Sequence, residues 1–286
     1  MKKACIVVDS SSGIVNGQYP DVFVVPLILV EKKSNGELIS YRDNVDITID
    51  QLFHKLSANQ DINTSQANVG EMTEMLEKCS HEYENVFVLP IPETLSSNVN
   101  TWEMLAKNFN NVKVIRQFTV ANLTNWIIKH LVEKNIKNEL NESYIVNYIQ
   151  QTKHKMCVVL VVPDIKQLVK GGRISGVKSL IVKLLGLKLL ITMADDGLIF
   201  YDKAKKDRET ISKIKLAFEQ KIGLDKMQIK QGAILTSKSS DAKFNINELR
   251  DLIKTQWSIS YEENEAPAVI GAHIGPNYIA VCLEVE

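Results

Sequence analysis

In the first half of the chain, short apolar runs alternate with segments whose apolar residues recur at helical spacing. Buried strands are predicted at residues 5–9, 22–30, 86–91 and 112–115, and Pro26 interrupts the second of them. Helices are predicted at residues 49–56, 69–79, 95–109, 120–137 and 143–152. Because strands and helices alternate at this spacing, the first half predicts a parallel α/β sheet.

In the second half, some predicted strands follow one another directly, without a helix between them. Strands are predicted at residues 156–162, 189–193, 198–202, 228–236, 268–272 and 278–284, and helices at 164–170, 175–187, 207–221 and 244–256. The Asp-Gly pair at 196–197 is a hairpin signal. We therefore predict an α/β protein of two domains. Residues 1–154 form an N-terminal parallel α/β sheet domain, and residues 155–286 form a C-terminal mixed or antiparallel α+β domain, with short tails crossing between them.

Composition narrows the class of protein. The chain has 286 residues, 45% of them hydrophobic and 24% charged, which is typical of a globular protein. Its 34 basic and 34 acidic residues give zero net charge, so no basic excess indicates nucleic acid or an anionic membrane as partner. Of the basic residues only five are Arg, which draws attention to Arg173 in a glycine-containing segment.

The N-terminus and the cysteines both indicate a cytoplasmic protein. The apolar run after Lys2 and Lys3 stops at Asp9, which is too short for a signal peptide, and no run reaches the roughly 18 residues of a membrane span. The four cysteines lie far apart, without CxxC or metal-ligand spacing. We expect buried, reduced thiols and no metal site.

Four loops place small polar residues where predicted strands meet helices or turns, which is where open α/β sheets bind ligands. The candidate side chains are Ser10, Thr64, Ser65, Ser96, Ser97 and His273. Each has a structural alternative: the Ser10 loop as a polar turn, Thr64 and Ser65 as helix caps, Ser96 or Ser97 as the cap of the next helix, and His273 as a structural histidine closing a strand.

A fifth segment, residues 167–175, places Gly171 and Gly172 before Arg173. Arginine suits bidentate recognition of a carboxylate or phosphate, and the alternative is a helix end followed by a surface arginine. The chain has no GxGxxG motif after its first strand, no P-loop, no GxSxG and no HExxH. The residues alone thus predict an anion-accepting cleft built from hydroxyls, backbone N–H groups and one histidine.

Five motifs occur in the order found in the DegV family of FakB-type fatty-acid-binding proteins, and the chain resembles that family from residue 4 to about 284. They are Val7-Val8-Asp9-Ser10-Ser11, Val25-Pro26-Leu27, Thr64-Ser65-Gln66, Leu168-Val169-Lys170-Gly171-Gly172-Arg173-Ile174-Ser175 and His273-Ile274-Gly275-Pro276. The resemblance implies one long-chain fatty acid between two domains, with its carboxylate bound by Thr64, Ser96 and His273. It assigns Arg173 to the architecture or to a partner surface. It further implies a carrier that is not an enzyme, needs no cofactor, and presents the acid to a dihydroxyacetone-kinase-like fatty-acid kinase for phospholipid synthesis.

The chain departs from the family pattern near these motifs. Pro92-Glu93 replaces a Ser-Ser pair, Ser97-Asn98 replaces Gly-Thr, and residues 116–119 replace an acidic, serine-bearing segment. Ala67 replaces the Pro that usually follows the Thr-Ser-Gln motif, and Asn277 replaces the Gly that usually follows residue 276. These changes bear on kinase coupling more than on lipid binding, and Glu93 would repel a carboxylate unless it points away.

Two other functions stay open from the sequence. One is an enzyme acting on an acyl or phosphorylated small molecule, with His273 as acid or base. The other is an interaction protein that has lost its ligand. For the acyl chain, the apolar stretch 180–193 is a candidate tunnel lining, and an ordinary domain core is its alternative.

Overall fold

The computed structural model describes residues 1–163, 165–175, 186–224, 228–237, 246–257 and 260–286. By its internal contacts the chain divides into two compact units. Unit 1 comprises Met1–Thr48, Gln60–Lys153 and Pro267–Val269, and unit 2 comprises Ile49–Asn59, His154–Ala266 and Ile270–Glu286. The division into domains at residue 154 stays a prediction.

The elements of the described residues are numbered in chain order. The strands are β1 (Lys2–Asp9), β2 (Val22–Val25), β3 (Ile28–Lys32), β4 (Leu38–Arg42), β5 (Asp61–Ser65), β6 (Tyr83–Leu89), β7 (Val112–Val114), β8 (Met156–Val162), β9 (Ile174–Ser175), β10 (Lys188–Ala194), β11 (Gly197–Ala204), β12 (Ile229–Thr236), β13 (Tyr261–Asn264) and β14 (Ile279–Val285). The helices are α1 (Ile49–Ser57), α2 (Val69–Glu82), α3 (Asn98–Ala106), α4 (Ala121–Ile136), α5 (Glu142–Thr152), α6 (Lys166–Lys170), α7 (Asp207–Ile222), α8 (Ile246–Trp257) and α9 (Ala268–Ile274).

Unit 1 contains the predicted parallel sheet, in the order β2-β1-β6-β7. Every pairing in it is parallel, with Val7 of β1 beside Phe23 of β2 and Val88 of β6. Residues 4–8 of β1 are buried, as expected for a central strand covered on both faces. Because the strands are parallel, β1 and β6 bring their carboxyl ends to the same edge of the sheet.

Unit 1 also has a three-stranded antiparallel sheet, β4-β3-β5, that the sequence did not predict. The strand run predicted at residues 22–30 is divided where Pro26 interrupts it: the chain leaves the parallel sheet after Val25 and enters the antiparallel sheet at Ile28. Pro26 lies at the break and has no N–H to donate to a strand ladder. Strand β5 of this sheet ends with Thr64 and Ser65, which were predicted to lie in a loop.

Unit 2 is built on a seven-stranded sheet in the order β13-β12-β14-β8-β10-β11-β9. The central strand β8 pairs antiparallel with both β14 and β10, whereas β12–β13 and β11–β9 are parallel pairs. The hairpin predicted at Asp196-Gly197 joins β10 to β11. The mixed sheet confirms the predicted fold class of the second half.

The core of unit 2 lies between this sheet and two helices. Val159 and Leu190 on the sheet belong to one buried cluster with Phe218 of α7 and Leu249 of α8. This position bears on the predicted tunnel lining at 180–193. Residues 180–185 lie outside the described part of the chain, and Leu190 in β10 belongs to the ordinary domain core.

Two other predicted elements differ from the structure. Residues 268–272 were predicted as a strand but form most of α9, because a short apolar run does not distinguish a buried strand from a buried helix turn. The helix predicted at 175–187 is wrong at its first residue, since Ser175 ends β9. Its residues 176–185 lie outside the described part. Across the described ranges, no helix is long and apolar enough to cross a membrane.

Candidate ligand-binding site

A buried carboxylate organises the loop that follows β1. Asp9 ends the strand and is 1% exposed. Its Oδ1 accepts hydrogen bonds from the N–H (3.1 Å) and the hydroxyl (2.5 Å) of Ser11, and its Oδ2 accepts from the Ile91 N–H (2.7 Å) and Asn98 Nδ2 (3.1 Å). Burial raises the pKa of Asp9, and these hydrogen bonds oppose the rise. Asp9 therefore joins the carboxyl ends of β1 and β6.

Ser10, a secondary candidate from the sequence, is bound to other groups of unit 1. Its Oγ accepts a hydrogen bond from the Leu27 N–H at 3.0 Å, and it is 2% exposed. It also faces Asp43, a second buried carboxylate. Burial raises the pKa of Asp43 to about 6, while the Ser10 hydroxyl and the N–H groups of Val269 and Ala268 lower it. Asp43 thus lies beside Ser10 and the first residues of α9.

Thr64 and Ser65 lie at the end of β5 and do not cap α2. The cap is Asn68, whose Oδ1 accepts from the N–H groups of Gly70 (2.8 Å) and Glu71 (3.2 Å). The interpretation of Thr64 and Ser65 as helix caps is therefore wrong. Thr64 is half-buried and Ser65 is exposed. Of the two hydroxyls, the one on Thr64 is the better sheltered from water.

Ser96 and Ser97 precede α3 and differ in their surroundings. The half-buried Ser96 accepts a hydrogen bond at its Oγ from the Asn98 N–H, at 3.2 Å. A hydroxyl that accepts one hydrogen bond still has a proton to donate. Ser97 is exposed, and its side chain makes no capping hydrogen bond to α3. Ser96 is therefore the better placed of the two to donate to an anion.

Asn98 also lies in this region, and the sequence did not identify it as a candidate site residue. It is 0% exposed, and besides donating to Asp9 it accepts at Oδ1 from the Ala67 N–H, at 3.3 Å. It thereby links the loops that follow β1, β5 and β6. The only signal in the sequence was a capping-type residue at a helix start, which does not reveal the two distant partners.

In unit 2, His273 lies against the glycine segment. It occupies the last turn of α9 and is half-buried. A Cβ atom on Gly171 would lie 2.3 Å from His273 Nδ1, so the ring occupies space that only glycine leaves open. Burial and the charge of Arg173 lower the pKa of His273 from 6.5 to about 4. At neutral pH the imidazole is neutral and has one N–H to donate.

Arg173, the remaining candidate, donates from its guanidinium to the Gly171 carbonyl at 2.5 Å. It is half-buried, and its charge reaches His273. The structure therefore brings Arg173, Gly171 and His273 together in unit 2. In unit 1, hydrogen bonds of Asn98 connect Ser96 with the segment that follows Thr64.

Glu93, which would repel a carboxylate unless it points away, is paired with a base. Its exposed carboxylate forms a salt bridge with Arg116, which also pairs with Glu103 at 2.8 Å. Beside Arg116, Gln117 donates through Nε2 to the Pro90 carbonyl at 2.8 Å. The departures at 92–93 and 116–119 therefore contact each other, and Arg116 offsets part of the charge of Glu93.

Comparison with known proteins identifies the family. The family model described as "Uncharacterised protein, DegV family" matches residues 3–286. The chain belongs to the DegV family. A DegV domain-containing protein of Staphylococcus aureus strain N315 is 27% identical over 289 residues, covering 98% of each chain. One from Caldanaerobacter subterraneus subsp. tengcongensis is 28% identical over 293 residues, covering 99% of each. The resemblance found in the sequence is confirmed.

Solved DegV structures share the fold. A DegV family protein from Thermus thermophilus, described by its fatty acid binding, matches with a TM-score of 0.84 at 23% identity, over 99% of this chain and 100% of that one. A fatty acid binding DegV family protein from Streptococcus agalactiae gives 0.83 at 21%, over 100% of both. The Streptococcus pneumoniae Fatty Acid Kinase (Fak) B3 protein loaded with linoleic acid gives 0.77 at 16%, over 99% and 100%.

Proposed function

We propose that this DegV-family protein binds one long-chain fatty acid and acts as a carrier, without catalysing a reaction itself. The observation that carries the proposal is the match over essentially the whole chain to solved DegV proteins described as fatty-acid-binding. No separate cofactor or metal is required by this function. Among the described residues, no group of three or more His, Cys, Asp or Glu side chains is arranged to hold a metal ion.

The proposed ligands of the carboxylate are Thr64, Ser96 and His273. An anion that leaves water needs hydrogen-bond donors, because an unpaired buried charge is costly. The structure supports two of these assignments locally: Ser96 keeps a proton to donate while it accepts from Asn98, and His273 has one N–H in its neutral form. Arg173 adds positive potential beside His273 and is proposed as a residue of the supporting structure.

The acyl chain would supply most of the binding free energy. Each buried CH₂ group contributes about 0.8 kcal/mol, so a long saturated tail outweighs the few hydrogen bonds of its head group. We place this carrier in the cytoplasm, where its four cysteines, all buried and unpaired, stay reduced. Its zero net charge suits a carrier that approaches membrane lipid without adhering to anionic surfaces.

The proposed partner is a dihydroxyacetone-kinase-like fatty-acid kinase, which would convert the presented acid into an acyl phosphate for phospholipid synthesis. The name of the Streptococcus pneumoniae neighbour, a Fatty Acid Kinase (Fak) B3 protein, supports this part. A purified kinase of that class should release ADP from ATP only when the acid-loaded protein is added. ADP release that is the same with and without the protein would contradict the partnership.

The carboxylate assignment is tested by substitution. Thr64→Ala and Ser96→Ala should each weaken oleic acid binding by about tenfold, because each removes one donor to a charged group. Binding is measured as partition of radiolabelled oleic acid between neutral phosphatidylcholine vesicles and the protein. The matched changes Ser212→Ala and Thr255→Ala, at exposed helix positions, should leave the affinity unchanged.

Two outcomes would count against the proposal. Unchanged affinity in both Thr64→Ala and Ser96→Ala would show that the carboxylate lies elsewhere. Turnover of an ester or a phosphorylated small molecule, abolished by His273→Ala, would instead favour an enzyme.

A further inference from the structure

Asn98 is the residue at which three segments of unit 1 meet. Its side chain donates from Nδ2 to Asp9 (3.1 Å) and accepts at Oδ1 from the Ala67 N–H (3.3 Å). A primary amide carries a donor and an acceptor on neighbouring atoms, so this one side chain satisfies an anion on one side and an N–H group on the other. With 0% exposure, neither contact is weakened by competing water.

The carboxylate of Asp9 determines which way the Asn98 amide faces. A carboxylate is an acceptor only, so it pairs with Nδ2 and excludes the flipped orientation in which Oδ1 would face it. The carboxylate itself is held by the Ile91 N–H and by Ser11. The amide oxygen is therefore directed onto Ala67, three residues after Thr64.

The first turn of α3 also contacts Ser96 and the segment that follows Thr64. The backbone N–H of Asn98 donates to the Ser96 Oγ at 3.2 Å, which orients the hydroxyl. One turn later, Thr101 donates from its Oγ1 to Gln66 Oε1 at 2.8 Å. The start of this helix thus contacts Ser96 on one side and the segment after Thr64 on the other.

From these contacts we infer that Asn98, oriented by Asp9, is a positioning residue that sets the Ser96 hydroxyl and the Thr64 segment for a fatty-acid carboxylate. This inference rests on the proposed function. Asn98 acts through Ser96 and through the chain leading to Thr64, not by contacting the acid. Its effect should therefore depend on the head group of the ligand and not on the tail.

The test compares an acid with an alcohol of the same tail. Partition of oleic acid and of oleyl alcohol from phosphatidylcholine vesicles is measured for the wild type, Asn98→Ala and Asn98→Asp. Asn98→Asp keeps an acceptor for Ala67 but places a second carboxyl group beside Asp9. Both variants should lose about tenfold in affinity for oleic acid while the affinity for oleyl alcohol changes by less than about twofold. Asn100→Ala, an exposed asparagine of the same helix, should change neither.

A double-mutant cycle separates positioning from general stability. If Asn98 acts partly through Ser96, the variant carrying both Ser96→Ala and Asn98→Ala should bind oleic acid more tightly than the sum of the two single losses predicts. Asn98→Ser, which is too short to reach both Asp9 and Ala67, is measured alongside so that the test stands if Asn98→Ala fails to fold. Thermal unfolding of each variant reports whether it folds.

The outcomes distinguish this inference from the proposed function. If the wild type takes up neither ligand, the proposed function itself fails. If the wild type binds oleic acid, two results would overturn the role of Asn98: equal losses for acid and alcohol, or unchanged affinity for both in every folded Asn98 variant.

Discussion

His273 shows how the surroundings of a single residue set the chemistry available to it. Its pKa falls from 6.5 to about 4 because burial and the charge of Arg173 both disfavour the imidazolium form. A neutral ring can donate one hydrogen bond to a carboxylate without carrying a charge of its own. This state suits reversible capture of an anion, because the ring itself carries no buried charge when the ligand leaves.

The first residue-scale prediction concerns the pKa of His273. A carboxylate bound next to the ring favours its charged form, so saturating oleic acid should raise this pKa above its value of about 4 in the ligand-free protein. Two-dimensional ¹H–¹⁵N NMR of the histidine rings across a pH series measures it, with His273→Gln assigning the resonance. The same titration curve with and without the acid would show that the ring does not face the carboxylate.

The second residue-scale prediction concerns Asp43, whose pKa is raised from 3.8 to about 6. A carboxyl group whose folded pKa is raised contributes stability below pH 3.8, and this contribution is lost as the pH rises to about 6. Asp43→Asn removes the ionisation, so it should flatten this part of the pH dependence and raise the free energy of unfolding at pH 7, by at most about 3 kcal/mol.

Urea unfolding of wild type and Asp43→Asn between pH 4 and pH 7 checks this prediction. The exposed turn residue Asp196 provides the matched control, Asp196→Asn, which should follow the wild type. His273 contributes the opposite slope in the wild type and in both variants, because a lowered histidine pKa costs stability as the pH falls from 6.5 towards 4. Parallel pH profiles for wild type and Asp43→Asn would refute the role of Asp43.

At the residue scale, side-chain type predicted the candidates but not their partners. Hydroxyls at 10, 64 and 96 and the histidine at 273 stand out by type and by position after apolar runs. Asn98 and Asp43 do not, because their roles depend on contacts with residues far away in sequence, such as Asp9 for Asn98 and Val269 for Asp43. Nor did the sequence show that Arg116 would pair with Glu93.

At the element scale, the end of α6 packs against the end of α9 because Gly171 has no side chain. The C-terminal residue of α6 is Lys170, and Gly171 follows it with its backbone against the His273 ring. Gly171 has a negative φ of −74°, so any residue could adopt its backbone conformation. Glycine is required here for space and not for a left-handed conformation.

The element-scale prediction is that Gly171→Ala displaces His273. The new methyl carbon would lie 2.3 Å from Nδ1, so the ring must move, and oleic acid affinity should fall by about tenfold while the protein still folds. Vesicle partition gives the affinity, and the histidine NMR spectrum reports the ring. Lys170→Ala, an exposed change one residue earlier, is the control. Wild-type affinity in Gly171→Ala would mean that the position of His273 is unimportant for binding.

Long periodic elements were predictable, and short ones were not. The helices at 121–136 and 207–222 were found because their apolar spacing extends over many residues. The strand at 156–162 was found because it is an unbroken apolar run rich in valine. Residues 268–272 were predicted as a strand because so short a run of mostly apolar residues fits either structure. Strand β4 has no fully buried residue and β5 has one, Ile62, so packing against β3 decides both strands.

At the scale of the whole molecule, the order of strands and helices differs between the two halves of the sequence, and this difference predicted two kinds of sheet. The parallel sheet of unit 1 and the mixed sheet of unit 2 confirm it. The assignment of Ile49–Asn59 to unit 2 and of Pro267–Val269 to unit 1 could not be predicted, because contacts between distant segments decide it. The DegV match over residues 3–286 spans both units, so the proposed carrier function belongs to the chain as a whole.

The most direct test of the account is the lipid content of the protein. Mass spectrometry after denaturation of the purified protein should detect close to one long-chain fatty acid per chain, either carried through purification or taken up from added oleic acid. The wild type should release this acid, and Thr64→Ala and Ser96→Ala should each retain less after the same washing. Release of no acid, together with no uptake of added oleic acid by folded protein, would contradict the account.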